Sequence, residues 1–208
     1  MIRKELKNYI ENNILSQYKL NDSGHNIDHA NYVIDRSLKF ASCLDVNKEM
    51  VYVIAAYHDV AHHIDRLNHE KIGSELLLND EELTKYFDKN EIKIMSDAVY
   101  DHRSSLDGDP RTIYGKIVST ADRNISVEVT LKRSYSYNRK HYPELTEEEV
   151  IEQCRNFLNK KYGKNGYAVK KVYFEDKAYD KYLKDMDYIT THKKEFDKKI
   201  KEVNNLTK

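Results

Sequence analysis

Apolar residues recur every three or four positions through most of the chain, which is the spacing of an amphipathic α-helix. The pattern is clear from Ile27 to Ala41 and returns in several later segments up to residue 129. Helix breakers are rare, with six glycines and two prolines in 208 residues. These features predict an all-α fold, built as a bundle of helices.

The segment VIAAYHDVAHHID, residues 53–65, is the most hydrophobic part of the chain until it reaches His58 and Asp59. Its first half is apolar on nearly all sides, which is typical of a helix surrounded by neighbours. A carboxylate at the edge of such a helix is costly to bury unless it is paired or bound to a cation. Acid and imidazole at this position therefore indicate a functional site.

The second half of the chain is more polar. Thr146 and Glu149 form a predicted capping box at the start of a helix, and Gly163 is a natural end for it. The tail from about residue 170 predicts one or two amphipathic helices. We expect one domain over residues 1–208, with a motif-bearing core at about 20–130 and a helical extension at about 131–208.

Composition narrows the choice of partners. Lysine plus arginine equals aspartate plus glutamate at 35 each, so the chain has no general attraction to nucleic acid or acidic membrane. The longest uncharged apolar run, MVYVIAAY, is too short to span a bilayer, and the N-terminus lacks an apolar signal core. We expect a cytoplasmic protein. Cys43 and Cys154 match no metal or redox spacing and are interpreted as reduced core thiols, with a disulfide between them left open.

Seven of the nine histidines lie between residues 25 and 102. Four predicted helices each bring an imidazole or a carboxylate to a core-facing position, namely His29, the pair His58 and Asp59, His102, and Asp122. Structural His–Asp pairs would explain two of these positions, whereas a shared cation explains all four. Nitrogen and oxygen donors without thiolates suit Mn, Fe, Co, Ni or Zn and argue against a structural zinc site of the cysteine type.

The order of these residues also resembles a known family. His29, the doublet His58-Asp59 and then Asp122 resemble the H…HD…D signature of the HD-domain phosphohydrolases. The segments GHNIDHANYVIDRSLKFA, AAYHDVAHH and KIVSTADRN are similar to the three metal helices of that family. The resemblance spans residues 20–130 and implies an all-helical, single HD-type domain. It implies a divalent metal held by these four residues and hydrolysis of a phosphate ester or anhydride.

Further histidines resemble additional ligands. His69 and His102 are similar to positions where some branches of the family bind a second metal, so we expect one divalent ion or two, with Mg added to the ions named above. His62 could serve a similar purpose or be a solvated helix end. His25 is interpreted as a loop contact or a hydrogen-bond partner of a phosphate, and His63, His141 and His192 are assigned to the surface.

The reaction that the resemblance implies uses a water that the metal activates. His58 and Asp59 are the expected catalytic residues at the metal, and Arg103 and Lys116 are expected to stabilise charge on the phosphoryl oxygens. Arg66 and Arg123 are weaker candidates, since exposed cations at helix ends are usually only solvated. We expect the substrate to be a small phosphorylated molecule, with a nucleotide favoured by family analogy alone.

Two other functions stay open at this point. A di-iron oxygenase on an HD-type scaffold, similar to myo-inositol oxygenase, would use the same histidines with O₂. A non-catalytic sensor that binds a nucleotide or a metal would also keep the fold. The oligomeric state is open as well.

Overall fold

The computed structural model describes residues 2–22 and 24–206. Within these residues the chain forms ten α-helices and no β-strand, which confirms the predicted all-α fold. The chain divides into two compact units, Met1–Asp122 and Arg123–Lys208. The expectation of a single domain over residues 1–208 stays a prediction.

The first unit contains six of the α-helices. They are α1 Lys4–Tyr9, α2 Ile27–Ala41, α3 Lys48–Tyr57, α4 His69–Leu78, α5 Lys89–Tyr100 and α6 Ile113–Ala121. A π-helical turn at Ile10–Ile14 and a 3-10 helix at Leu15–Leu20 follow α1, and a second 3-10 helix lies at Glu81–Lys85. Polar side chains accept backbone N–H groups at the helix starts, as Asn26 does for α2 and Thr112 does for α6.

Helix α3 lies at the centre of this unit. Its residues from Met50 to Tyr57 are all buried, and it packs against α2, α5 and α6. Helix α4 comes close to its end at Gly73, where an added Cβ would lie 3.1 Å from the carbonyl oxygen of Tyr57. The absence of a side chain at this position therefore allows the end of α3 and the body of α4 to approach closely.

The second unit contains α7 Val127–His141, α8 Glu147–Tyr162, α9 Lys177–Thr191 and α10 Lys193–Val203. The capping box of Thr146 and Glu149 and the helix end at Gly163 are both confirmed, as is the pair of helices in the tail. The sequence did not separate α7 as an element of its own. The second unit has a core of its own, which includes Leu131, Cys154, Tyr182 and Phe196.

Two expectations about details were wrong. The predicted helices around residues 58 and 122 end earlier, at Tyr57 and Ala121, because the polar residues that follow belong to turns. Cys43 is exposed and is not a core thiol, whereas Cys154 is buried, and both cysteines are free.

No helix in the described part of the chain is long and apolar enough to cross a membrane.

Candidate metal centre

The predicted ligands lie at helix ends, where side chains can converge without breaking a helix. His29 is in the first turn of α2, which Asn26 caps with its side-chain oxygen. His58 and Asp122 are the residues that end α3 and α6, and Asp59 follows His58 in the turn after α3. The expectation that these groups lie within helices therefore needs correction for all but His29.

These four residues form one close group. His29 Nε2 lies 3.3 Å from His58 Nε2, 3.2 Å from Asp122 Oδ1 and 3.5 Å from Asp59 Oδ2. His58 Nε2 lies 3.3 Å from the same Asp59 oxygen. Polar atoms from the start of α2 and from the residues that follow α3 and α6 thus lie together.

A second group shares Asp59. His69 is the first residue of α4 and His102 lies in the turn after α5; their Nε2 atoms are 3.4 Å apart. Asp59 Oδ1 lies 3.0 Å from His69 Nε2 and 3.5 Å from His102 Nε2. One oxygen of Asp59 therefore faces His29 and His58, and the other faces His69 and His102.

Three of these imidazoles contact a backbone carbonyl oxygen through Nδ1, the ring nitrogen that faces away from Asp59. His58 Nδ1 lies 2.7 Å from the carbonyl oxygen of Ala55, His69 Nδ1 lies 2.9 Å from that of Arg66, and His102 Nδ1 lies 2.6 Å from that of Val99. A carbonyl oxygen only accepts, so each Nδ1 carries a proton, and Nε2 is the ring atom that can bind a metal. The Nε2 atoms of all three rings are therefore left to face Asp59 and the interior of the site.

The pKa shifts of His29, Asp59 and Asp122 show that the site stabilises positive charge. Burial alone would lower the pKa of His29, but Asp122 and Asp59 outweigh it and raise the pKa to about 9. Burial would raise the pKa of Asp59, but His58, His102 and His29 hold it well below its ordinary value. The pKa of Asp122 is likewise lowered, mainly by His29 against the effect of burial. The site favours a cation in its interior.

The residues fit a pair of divalent ions. Two ligand atoms that share one ion at ~2.1 Å lie about 3.0–3.4 Å apart, which is the spacing of both imidazole pairs. Neutral imidazoles and carboxylates are the donor set of Mn, Fe, Co, Ni and Zn sites. The carbonyl contacts of Nδ1 are the usual support of metal-binding histidines.

A third group of similar residues lies nearby but fits a metal poorly. Asp22, His25 and His62 bring their ligand atoms close together. The rings of His25 and His62, however, are stacked, with centroids 3.8 Å apart and planes 19° apart. Ligand lone pairs lie in the ring plane, so two nearly parallel rings do not point at one ion. His25 instead contacts Asp22 through Nδ1 at 2.8 Å, and His62 is buried, not a solvated cap.

Arg103 and Lys116, the two residues expected to bind phosphate, lie in different surroundings. Arg103 follows His102, and its guanidinium donates to Glu70 at 3.0 Å and to the carbonyl oxygen of Leu67 at 2.8 Å. Lys116 is half-buried on α6, about 9 Å along the helix axis from Asp122 at 1.5 Å per residue. The role of either residue at a phosphate stays a prediction.

Sequence reasoning missed several residues that support the site. Tyr18 and Asn21 hydrogen-bond to the backbone of Asp59, although Tyr18 reads as one more apolar position and Asn21 as a turn former. Asp101, beside His102, is buried and accepts the backbone N–H and the guanidinium of Arg111 at 2.8–3.1 Å. In the sequence, the one feature that could have indicated Asp101 was its position next to the predicted ligand His102.

The chain is similar to known proteins in part of its sequence and in its fold. Residues 26–124 match the HD domain family. The crystal structure of a predicted HD superfamily hydrolase from an uncultured Thermotogales bacterium is similar in fold, with a TM-score of 0.50 and 23% identity, and the match covers 74% of this chain and 86% of that one. A comparison with curated proteins finds no significant match.

The match to the HD domain family covers just under half of the chain and includes the first group of residues, from His29 to Asp122. The matched residues lie within the core expected at about 20–130, and the bounds of that core stay a prediction.

Proposed function

We propose that the chain is a metal-dependent phosphohydrolase that binds two divalent ions on either side of Asp59. His29, His58 and Asp122 would hold the first ion with one oxygen of Asp59, and His69 and His102 the second with the other oxygen. The substrate is a small phosphorylated molecule, and a nucleotide is the substrate class that the family favours. The bond cleaved is a phosphate ester or anhydride.

One observation carries this proposal. Two pairs of imidazole nitrogens face each other at 3.3 and 3.4 Å across the two oxygens of one buried carboxylate. Imidazole nitrogens and buried carboxylates packed this closely need positive charge between them, which protons supply in the metal-free protein and divalent ions would supply in the metal-bound one. A divalent cation held by each group would bind these nitrogens and offset the charge of Asp59.

The chemistry of such a centre is general. Divalent ions bound there polarise phosphoryl oxygens and lower the pKa of water, so that a nucleophile forms near neutral pH. Asp59 would supply negative charge to both groups, since one of its oxygens faces His29 and His58 and the other faces His69 and His102. His58 and His69 keep their lone pairs directed inward because Ala55 and Arg66 hold their Nδ1 protons. Arg103 donates to Glu70 and Leu67 through Nη1. We propose that its other N–H groups contact the phosphate.

The experiment is a hydrolysis panel across metals. Purified protein is stripped with a chelator and reloaded with Mn, Fe, Co, Ni, Zn or Mg. Release of phosphate, pyrophosphate or p-nitrophenol is then followed from nucleoside mono-, di- and triphosphates and from aryl phosphate esters. Asp59→Asn keeps the shape of the side chain and removes its charge. Asp185→Asn is the matched control, since that carboxylate lies on α9 in an exposed ion pair with Lys181.

We expect turnover that depends on the added metal, with loss of at least about a hundredfold in Asp59→Asn and none in Asp185→Asn. Hydrolysis that survives in Asp59→Asn at the wild-type rate would contradict the proposal. Uptake of O₂ by the iron-loaded protein without phosphate release would instead identify the oxygenase alternative. Nucleotide binding without turnover in any metal would identify a sensor.

A further inference from the structure

The peptide of Asp59 is held on both sides by side chains from one short segment. The backbone N–H of Asp59 donates to the hydroxyl of Tyr18 at 3.2 Å. The carbonyl oxygen of Asp59 accepts from Nδ2 of Asn21 at 3.0 Å. Tyr18 and Asn21 lie at the end of the 3-10 helix Leu15–Leu20, before the residues 26–124 that match the HD domain.

Tyr18 completes the hydrogen bonding at the end of α3. The last carbonyl groups of a helix have no donor within the helix. The hydroxyl of Tyr18 donates to the carbonyl oxygen of Ala56 at 2.9 Å while it accepts from Asp59. His58 Nδ1 lies against the neighbouring carbonyl of Ala55. Because Tyr18 is fully buried, water cannot take over these bonds.

Asn21 joins three parts of the backbone around the site. Its Nδ2 donates to the carbonyl oxygens of Asp59 and of His25, the latter at 2.9 Å. Its Oδ1 accepts the backbone N–H of His63 at 2.9 Å. The amide thus fixes the turn that follows Asp59 against the loop that precedes α2.

These contacts matter because the Asp59 carboxylate must face two groups at once. Its oxygens lie 3.0–3.5 Å from four imidazole nitrogens. A side chain with two rotatable bonds keeps such a position only if its backbone is fixed, and supporting contacts of this kind set metal affinity. We infer that Tyr18 and Asn21 are positioning residues that hold Asp59 in its bridging orientation. This inference rests on the two-ion centre proposed above.

Neither residue is proposed to touch the substrate. Their hydroxyl and amide groups contact the backbone, so their loss should act on how the two ions are held together. We therefore expect the second ion, whose ligands on this chain are His69, His102 and Asp59, to weaken most. The first ion keeps His29, His58 and Asp122.

The test uses Tyr18→Phe and Asn21→Ala in the full chain, with Tyr52→Phe as the matched control. Tyr52 is a buried tyrosine on α3, and among the described residues its hydroxyl has no hydrogen-bond partner. Binding of Mn(II) is measured by calorimetry, and the two-ion state is read by electron paramagnetic resonance. Ions about 3.5–4 Å apart with a bridging ligand couple magnetically and lose the six-line signal of isolated Mn(II).

We expect wild type and Tyr52→Phe to bind two coupled ions. In Tyr18→Phe and Asn21→Ala the second ion should bind at least about tenfold more weakly, with the isolated signal returning. Asn21 is partly exposed, so its variant reports even if Tyr18→Phe folds poorly. If both variants keep two coupled ions at wild-type affinity, the positioning role is refuted and the centre stands. If wild type itself binds fewer than two ions, the two-ion centre fails, and the inference with it.

Discussion

The metal-free protein should lose stability as the pH rises from 6.5 to 9. In the absence of metal, a proton on His29 is the cation that Asp122 and Asp59 stabilise, and they raise the pKa of His29 from its ordinary 6.5 to about 9. A folded-state pKa above the unfolded value adds stability that is fully present below pH 6.5. That stability is lost as the pH rises through about 9.

The magnitude follows from the difference between the two pKa values. A difference of about 2.5 pH units at ~1.4 kcal/mol each gives about 3 kcal/mol for His29. His69, whose pKa is also raised against burial by Asp59, adds to the loss in the same direction. Burial lowers the pKa of His25 and lowers that of His62 to about 4, so these two groups act below pH 6.5 and leave the window unaffected.

The assay is chemical denaturation followed by circular dichroism, with chelator present, at intervals from pH 6.5 to 9.5. Asp122→Asn should flatten the profile, because it removes a main partner of the His29 proton. Asp28→Asn is the matched control, an exposed carboxylate next to His29 on the same helix. The reasoning is refuted if the free energy of unfolding is constant across the window, or if Asp122→Asn loses as much as wild type. Saturating metal should also remove the loss, since the ion replaces the proton.

Three further variants test other contacts. His102→Ala should keep the first ion and lose the second in calorimetric titrations, and loss of both would contradict the division into two groups. Arg111→Ala leaves the buried carboxylate of Asp101 without its main donors and should lower the free energy of unfolding by about 1–3 kcal/mol, with an unchanged value arguing against this contact. Gly73→Ala gains about 1 kcal/mol of helix propensity but crowds the end of α3, which costs about 1–3 kcal/mol. We expect net destabilisation in denaturant and weaker binding of the second ion, and a stabilised variant would show that α4 can shift freely.

Local signals in the sequence explain why much of the fold was predictable. The apolar run before His58 gave α3, and the pattern from Ile27 gave α2, since helical period and burial coincide there. The order of His29, His58, Asp59 and Asp122 indicated which residues lie together in the first group, and their role as ligands stays a prediction. These features depend on residue type and spacing, which the sequence states directly.

The supporting contacts could not be predicted in the same way. Tyr18 bonds to residues 38 and 41 positions away, and no periodicity reveals a hydrogen bond to a distant backbone group. The sharing of Asp59 between two groups depends on where α4 begins and α5 ends in space. His62 is buried beside a stacked imidazole rather than solvated, because tertiary packing decides the exposure of a residue in a turn.

The most direct test of the central claim is anomalous X-ray scattering from crystals of the Mn- or Zn-loaded protein. The account predicts two metal peaks about 3.5–4 Å apart, with one oxygen of Asp59 on each. The first peak should lie against His29, His58 and Asp122, and the second against His69 and His102. A single peak, or ions bound away from Asp59, would contradict it.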